Sequence, residues 1–289
     1  MLEYFKSTKF KMRVAHVLLS FGRLFGLKRK RIILRKGVRY EVDLAEGIDL
    51  HLFLFGGFQA HLAQSPLIRI LEDAVILDVG ANVGAVSLAF AKAFPRATIY
   101  SFEPSHYAFE KMKRNLELNE DLGKRIFPMQ AFVTMADPDP SHLVAYASWP
   151  IDDLGGDRHP MHMGIMKEAT DRRVILDEFV RERGIDRLNL IKIDTDGHEM
   201  NILRSAEETI RRFRPIIIFE LTAYLLDERG YTFTEYEKFL RPQGYRLYES
   251  ESGHEMLDGC MDRFAPKGGS IDVVAVPSSL PKMTSKGRG

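Results

Sequence analysis

An acid, an asparagine and two glycines interrupt an apolar stretch at residues 75–90, VILDVGANVGAVSLAF. Asp78, Gly80, Asn82 and Gly84 fall where a buried strand would turn into a helix, and a packed core gains nothing from them. Glycine lets the backbone turn and approach a ligand closely, and the free amides at a helix start attract negative charge. The pattern therefore predicts a ligand-binding loop.

The spacing of the glycines indicates the kind of ligand. A dinucleotide fingerprint requires G-x-G-x-x-G, whereas residues 80–84 are GANVG, so the middle glycine is missing. The acid before the loop would repel a pyrophosphate but could accept hydrogen bonds from an amino-acid ammonium. A nucleoside that carries an amino acid fits both features, and S-adenosylmethionine is that molecule. The loop residues expected to bind it are Asp78, Gly80, Ala81, Asn82 and Gly84.

A second acid follows at the interval expected for a ribose ligand. Glu103, in SFEP, lies 23 residues after Gly80, close to the roughly 20 residues typical of the acid that binds ribose hydroxyls. We expect Glu103 to bind both hydroxyls, with Pro104 beside it; the alternative is a solvated residue at a strand end. By topology alone, Gln130 and Ala131 at the end of the third strand form the expected adenine wall.

Chemistry is expected at the end of the strand candidate LNLIKID, which leads to Asp194, Asp196 and His198. If the ligand is S-adenosylmethionine and its methyl group passes to a hydroxyl, the reaction needs alignment of the reactants and removal of the hydroxyl proton. A histidine beside carboxylates suits the role of base, because they favour its protonated form. We hypothesise that His198 is the general base and that Asp194 positions the substrate or the methionine part of the cofactor. The alternative is that His198 only caps the following helix.

Three further predictions concern the same region. Asp196, Glu220 and Trp149 are candidate substrate residues, with Trp149 as a stacking platform for a sugar or, equally, as a plain core residue. Asp194, Asp196 and Glu220 have the oxygen ligands that magnesium prefers, but we do not favour a metal. Lys192, within the strand, is expected to pair with an acid such as Glu220.

Alternating strands and helices position these residues. Seven apolar strand candidates lie between Ala74 and Pro277, with helices predicted at 85–94, 105–119, 174–184, 198–213 and 233–242. The pattern predicts an α/β fold, a Rossmann-like, seven-stranded, mostly parallel sheet with helices on both faces and an antiparallel edge hairpin. Residues 30–70 suggest a small added β element. Residues 134–173 form a long insertion, predicted to be a mobile lid over the substrate.

The charge is distributed unevenly. Residues 1–40 contain twelve Lys or Arg and one acid, which leaves 29 basic and 39 acidic residues in the remainder. The acidic body argues against nucleic acid as a partner. The basic arm has apolar residues at helical spacing, so it either lies on an anionic membrane or packs on the domain. The single cysteine, Cys260, and the lack of a long apolar run suggest a cytoplasmic protein, associated with the inner face of the membrane if the arm binds there.

The sequence resembles FkbM-type S-adenosylmethionine-dependent methyltransferases of class I. The resemblance rests on LDVGANVG, on FEP, and on LDEFVRERGIDRLNLIKIDTDGHEMNIL followed by RPIIIFEL. It implies a methyltransferase domain at residues 40–276, with its core at 74–276, after a basic helical arm at 1–39 and before a disordered tail at 277–289.

The resemblance also implies O-methylation of a sugar, glycan or secondary metabolite. The alternatives are an inactive nucleoside-binding scaffold and a nicotinamide-dependent oxidoreductase. The acceptor and any homo-oligomer remain open.

Overall fold

The computed structural model describes residues 28–59, 61–135, 145–150, 164–257 and 270–278. Predictions for the amphipathic arm before residue 28, for most of the insertion and for the tail from residue 279 lie outside the described residues.

The described residues form thirteen strands and nine α-helices. The strands are β1 (Lys30–Arg35), β2 (Val38–Asp43), β3 (Val75–Val79), β4 (Thr98–Phe102), β5 (Ile126–Met129), β6 (Phe132–Val133), β7 (Tyr146–Ser148), β8 (Ile165–Met166), β9 (Arg173–Val174), β10 (Leu190–Ile193), β11 (Ile216–Thr222), β12 (Tyr245–Glu249) and β13 (Ser270–Pro277). The helices are α1 (Gly47–Phe55), α2 (Ala85–Ala93), α3 (His106–Glu117), α4 (Glu120–Gly123), α5 (Leu176–Glu182), α6 (Glu199–Ser205), α7 (Glu207–Phe213), α8 (Ala223–Arg229) and α9 (Phe233–Leu240).

Seven of the strands build the central sheet, in the order β12-β13-β11-β10-β3-β4-β5. All neighbours from β11 to β5 are parallel, whereas β13 runs antiparallel to β11 and to β12. The predicted fold class, including the antiparallel edge, is confirmed. The strand order reverses between β3 and β10, and in open α/β sheets ligands bind at the carboxyl ends beside such a point.

Each face of the sheet carries its own apolar core, because successive side chains of a strand point to opposite faces. Ile76 and Leu190 pack with α2 and the N-terminal hairpin, while Leu77 and Ile191 pack with α5, α6 and α9. Burying each such side chain stabilises the fold by roughly 1.5–3 kcal/mol. Helices therefore cover both faces, and the ligand edge is the part of the sheet left for polar chemistry.

The small β element predicted within residues 30–70 is present as the hairpin β1–β2, but the rest of the N-terminal region differs from its prediction. Residues 30–43 form the hairpin β1–β2, so residues 30–39 are not part of a helical arm, and residues 47–55 form the helix α1 rather than β structure. The free edge of β2 pairs with one side chain of α3 and one from the residue that precedes α4, since Glu41 N–H donates to Asn115 Oδ1 and Arg39 N–H donates to Asn119 Oδ1. The side chain of Asn115 also donates to the Val83 carbonyl, which links the hairpin to the glycine loop.

Two predicted elements are divided, and the helices α4 and α8 lie outside every predicted helix. The expected helix at 198–213 breaks at Ala206 into α6 and α7, where φ is −117° and ψ is 19°. The third strand candidate ends at Met129, and residues 132–133 pair with β9 outside the main sheet. Helix α8 follows β11 directly and was not predicted.

No helix within the described residues combines the length and apolarity needed to cross a membrane.

Candidate active site

The glycine loop lies where the prediction placed it, at the carboxyl end of β3 against the end of β10. Gly80 has φ 76°, and a Cβ atom there would lie 1.8 Å from the Asp194 carbonyl oxygen. Gly84 has φ 79° and begins α2, and a Cβ atom there would lie 2.9 Å from Met112 Cγ on α3. Both glycines are therefore required by close packing as well as by backbone conformation.

Asp78 supports this loop from beneath. Its side chain is fully buried, where Oδ2 accepts a 2.5 Å hydrogen bond from Ser87 Oγ and Oδ1 lies 3.4 Å from Lys192 Nζ. The ammonium that Asp78 meets is thus that of Lys192. That Asp78 accepts hydrogen bonds from the ammonium of a cofactor stays a prediction.

Lys192 joins the two strands that flank the switch point. Its Nζ lies 3.5 Å from Asp194 Oδ2 and donates to the Gly80 carbonyl at 3.1 Å. Burial alone would lower the pKa of this ammonium, but the carboxylates of Asp78 and Asp194 outweigh burial and raise the pKa. The structural role predicted for Lys192 is therefore confirmed, with Asp78 and Asp194 as its acidic partners rather than the predicted Glu220.

Glu103 holds the glycine loop to the end of β4. Its carboxylate is buried and accepts hydrogen bonds from Asn82 N–H at 3.0 Å and from Ser105 N–H at 2.9 Å. Burial raises the pKa of Glu103, and these hydrogen bonds oppose the shift. Each oxygen has a further lone pair, so the carboxylate is able to accept hydrogen bonds from two ribose hydroxyls.

The loop fits S-adenosylmethionine in a second respect. Asn82 Oδ1 is buried and has no hydrogen-bond partner among the described residues, and the Asn82 backbone has φ 48°. A buried acceptor of this kind is rare unless a ligand or water donates to it. The amide oxygen beside Glu103 therefore suits the hydroxyl or ammonium donors of the cofactor.

The predicted adenine wall is only partly available. Ala131 is fully buried, whereas the half-buried Gln130 places its Nε2 2.6 Å from His106 Nδ1. Pro104 lies under the end of the insertion, because its carbonyl accepts from Thr170 N–H. Of the wall pair, only Gln130 can present its side chain to a ligand.

The turn after β10 is organised by a residue that sequence reasoning used only as a family marker. Glu199 is buried, and its Oε1 accepts from Thr195 N–H, Thr195 Oγ1 and Gly197 N–H at 3.0–3.2 Å. Burial raises the pKa of Glu199, and the two backbone hydrogen bonds oppose the shift. This carboxylate fixes the loop from which Asp194, Asp196 and His198 project.

His198 occupies the residue before α6, but its side chain makes no capping hydrogen bond to that helix. The side chain that accepts the amides of the turn is that of Glu199 instead. The imidazole therefore does not cap the helix, although His198 occupies the N-cap position.

Four carboxyl groups lie close together at the ends of β10, β11 and β13: Asp194, Asp196, Glu220 and Asp272. This part of the site is called the acceptor side below. Burial, and then the charge of Asp194, raises the pKa of Asp196 and Glu220 well above their usual values. The same two causes raise the pKa of Asp272 to about 7. The structure thus brings together the three acids predicted from the sequence and adds Asp272 from the edge strand β13.

No group of three or more His, Cys, Asp or Glu side chains within the described residues has an arrangement that would hold a metal ion. The acids of the acceptor side are spaced by Lys192 and by an amide instead.

That amide belongs to Gln59, which sequence reasoning missed. Gln59 Nε2 donates to Asp194 Oδ2 at 3.1 Å and to Asp272 Oδ1 at 3.4 Å, and His61 Nε2 lies 3.9 Å from Asp272 Oδ2. Nothing in the local sequence pattern indicated that the segment after α1 reaches the carboxyl edge of the sheet.

Backbone strain concentrates at this edge. Among the described residues, five non-glycine residues have positive φ, and three of them are Gln59, Asn82 and Asp196. Such conformations cost about 1–3 kcal/mol each and cluster at functional sites. A search for asparagine and aspartate in glycine-rich turns could have found two of the three.

The insertion meets the N-terminal element at Trp149. The backbone N–H of Trp149 donates to Glu46 Oε2 at 3.0 Å, and its backbone carbonyl accepts from Gly47 N–H at 2.9 Å, at the start of α1. The strands β7 and β8 pair on either side of the part of the predicted lid that lies outside the described residues.

Comparison with known proteins agrees with this geometry. The family described as "Methyltransferase FkbM domain" matches residues 78–247, which is more than half of the chain and includes both the glycine loop and the turn after β10.

Three curated relatives are methyltransferases by name. "Methyltransferase 1" of Beauveria bassiana is 27% identical over 150 residues, covering 47% of this chain and 60% of that protein. "Hexuronic acid methyltransferase AglP" of Haloferax volcanii is 21% identical, covering 51% and 56%. "2-O-methyltransferase NoeI" of Sinorhizobium fredii is 28% identical, covering 51% and 64%. The chain thus spans less than two thirds of each of these relatives.

Proposed function

The chain belongs to the FkbM methyltransferase family, and on that premise we propose that it transfers a methyl group from S-adenosylmethionine to a hydroxyl of a sugar, a glycan or a secondary metabolite. The observation that carries the proposal is the Glu103 carboxylate, which is buried beside the glycine loop with lone pairs left for ribose hydroxyls. The names of two relatives, a hexuronic acid methyltransferase and a 2-O-methyltransferase, support a sugar hydroxyl as the acceptor.

The cofactor would lie against the ends of β3 and β4. Gly80, Ala81 and Gly84 give the close backbone approach, Asn82 offers its unpaired amide oxygen, and Glu103 binds the ribose. Asp78 acts from beneath by holding Lys192 and Ser87. The family match favours this arrangement over a nicotinamide-dependent oxidoreductase. The loop of this chain also lacks the middle glycine that such an enzyme requires.

The acceptor would approach from the side of β10 and β11. Bound S-adenosylmethionine supplies a methyl group on a sulfonium, which makes that carbon electrophilic. The acceptor hydroxyl would give its proton to the His198 imidazole while its oxygen takes the methyl group, and the sulfonium would leave as the neutral thioether of S-adenosylhomocysteine. Asp194 would orient the acceptor. A positioned base of this kind contributes typically 10²–10⁴-fold to the rate. Asp196 and Glu220 are then available to bind neighbouring hydroxyls of the acceptor.

Two measurements test the proposal. Isothermal titration calorimetry with S-adenosylmethionine should show one site per chain, and the same titration with NAD should show none. Extract from cells that lack the gene, incubated with the protein and S-adenosylmethionine, should release S-adenosylhomocysteine and contain a glycan or metabolite heavier by one CH2 group. Cofactor binding without any release of S-adenosylhomocysteine would support the inactive scaffold instead.

A further inference from the structure

Gln59 enters the acceptor side from a part of the chain that the family match does not cover. It follows α1, which ends at Gly56 in the left-handed conformation, and it contacts Asp194 and Asp272. The match covers residues 78–247, so both Gln59 and Asp272 lie outside it while Asp194 lies inside. Two elements added to the family domain thus converge on a residue of the domain.

The orientation of the Gln59 amide is determined by its neighbours. The closer partner of the nitrogen, Asp194 Oδ2, also lies 3.5 Å from the Lys192 ammonium, so it acts as an acceptor and the amide nitrogen must face it. The oxygen, Oε1, points the other way, where it is buried and has no hydrogen-bond partner among the described residues. An acceptor that is buried without a donor is destabilising, and natural structures rarely leave one unexplained.

The backbone of Gln59 carries a second cost. Its φ is 47°, in the left-handed region that a glutamine rarely occupies. The two aspartates account for the amide nitrogen, but they account for neither the left-handed backbone, which glycine would fit, nor the unpaired oxygen. A ligand that donates to Oε1 accounts for the choice of glutamine.

The chemistry around Oε1 defines the donor. An amide oxygen such as Gln59 Oε1 only accepts hydrogen bonds, so a ligand that satisfies it must bring a donor. Lys192 already supplies a positive charge to Asp194 at 3.5 Å. Neighbouring hydroxyls of one sugar ring meet this requirement without adding a second cation.

We propose that Gln59 is a specificity-determining residue, whose Oε1 accepts a hydrogen bond from an acceptor hydroxyl next to the one that is methylated. The amide nitrogen at the same time holds Asp194 to Asp272. This inference rests on the proposed function and names its acceptor class as a sugar with adjacent free hydroxyls.

Binding of defined sugars tests the inference separately from the proposed function. Methyl glycosides of glucose, galactose, mannose, fucose and glucuronic acid are titrated into the full chain saturated with S-adenosylhomocysteine, and binding is followed by saturation-transfer NMR. Wild type is compared with Gln59→Leu, with Gln59→Met and with Gln64→Leu. Gln64 is an exposed glutamine in the short 3-10 helix at Leu62–Gln64 and serves as the matched control.

We expect at least one glycoside to bind to wild type and to Gln64→Leu, and to bind about 10-fold more weakly to Gln59→Leu and Gln59→Met. S-adenosylmethionine should bind to all four proteins with the same affinity. Single deoxy derivatives of that glycoside identify the hydroxyl: removing it should weaken binding to wild type and leave binding to the Gln59 variants unchanged. If both Gln59 variants unfold, the deoxy series on wild type together with Gln59→Gly, which removes Oε1 and fits the left-handed backbone, supplies the same comparison.

Three outcomes overturn the inference while the proposed function stands. They are equal glycoside binding by wild type and the Gln59 variants, a deoxy derivative whose loss is the same in both, and binding of a simple amine such as ethanolamine in preference to every glycoside. Failure of wild type to bind S-adenosylmethionine overturns the proposed function itself. A wild type that binds the cofactor but none of the glycosides excludes the sugar class assigned to Gln59.

Discussion

The acidic residues on the two sides of the switch point differ in the groups that surround them. On the β3–β4 side, Glu103 is bound by the backbone amides of Asn82 and Ser105, which lie in the loops it joins. On the β10–β11–β13 side, Glu220 and Asp272 lie near Asp194 and near each other, and their pKa values are raised by burial and by that proximity.

The difference shows how each side obtains its specificity. The cofactor side is organised by the main chain of two consecutive strand–loop–helix units, so it is rigid before any ligand arrives. The acceptor side is assembled from side chains of distant segments, held by Lys192 and Gln59. A cofactor shared by a whole family suits the first arrangement, and an acceptor that varies between relatives suits the second.

The largest effect is expected where the two sides touch. Gly80→Ala places a Cβ atom 1.8 Å from the Asp194 carbonyl oxygen, so the ends of β3 and β10 must separate. We expect a loss of more than about 4 kcal/mol in the free energy of unfolding, measured by urea denaturation, with loss of cofactor binding.

Gly184→Ala is the matched control for this change. Gly184 also has positive φ, at 59°, but a Cβ atom there meets nothing within 4 Å. It should cost only about 1–2 kcal/mol, the penalty of the left-handed backbone. Equal costs at the two positions would contradict the close contact between the two sides.

The next effect separates chemistry from binding on the acceptor side. His198→Ala removes the proposed base and should lower the turnover number about 10²–10⁴-fold, while the affinity for S-adenosylmethionine stays unchanged. Release of S-adenosylhomocysteine measures the turnover, and His254→Ala, at an exposed position, is the control. An unchanged turnover number in His198→Ala removes this histidine from the mechanism.

On the cofactor side, Glu103→Ala should act mainly on affinity. It removes the ribose acceptor together with the partner of two loop amides, and we expect binding of S-adenosylmethionine to weaken about 100-fold in calorimetry. Glu110→Ala, at an exposed position of α3, should leave the affinity unchanged. Equal affinity in Glu103→Ala and wild type would refute the assignment of the cofactor to this side.

The smallest effect concerns the pH dependence of stability. The pKa of Asp272 rises from 3.8 to about 7 on folding, so between these values the folded carboxyl keeps a proton that the unfolded chain releases. The contribution of Asp272 to stability is therefore full at low pH and is lost as the pH rises towards 7. Asp272→Asn should make the slope of the unfolding free energy against pH shallower by about 1.4 kcal/mol per pH unit near pH 5–6.

Denaturation with urea at several pH values measures this slope. Asp227→Asn, which changes an exposed aspartate of α8, should leave it as in wild type. The same slope in Asp272→Asn as in wild type would mean that burial and the charge of Asp194 do not raise the pKa of Asp272.

The sheet and the glycine loop could be predicted from the sequence, because both depend on the order and spacing of residues along the chain. Apolar strands alternate with helices, and the glycines, Asp78 and Glu103 occupy fixed positions relative to strand ends, so their spacing along the chain specifies their placement. The same reasoning predicted that Asp194 and Glu220 lie at one edge of the sheet, since the carboxyl ends of parallel strands lie together.

The side-chain partners on neighbouring strands, and the contacts of the N-terminal element with the site, could be seen only in the tertiary structure. Whether Asp78 faces a ligand or Lys192 depends on which strand lies beside β3, and that neighbour is β10, far along the chain. Gln59 reaches Asp194 over a separation of 135 residues and Asp272 over one of 213. Such contacts arise from how separate segments pack, which no local periodicity encodes.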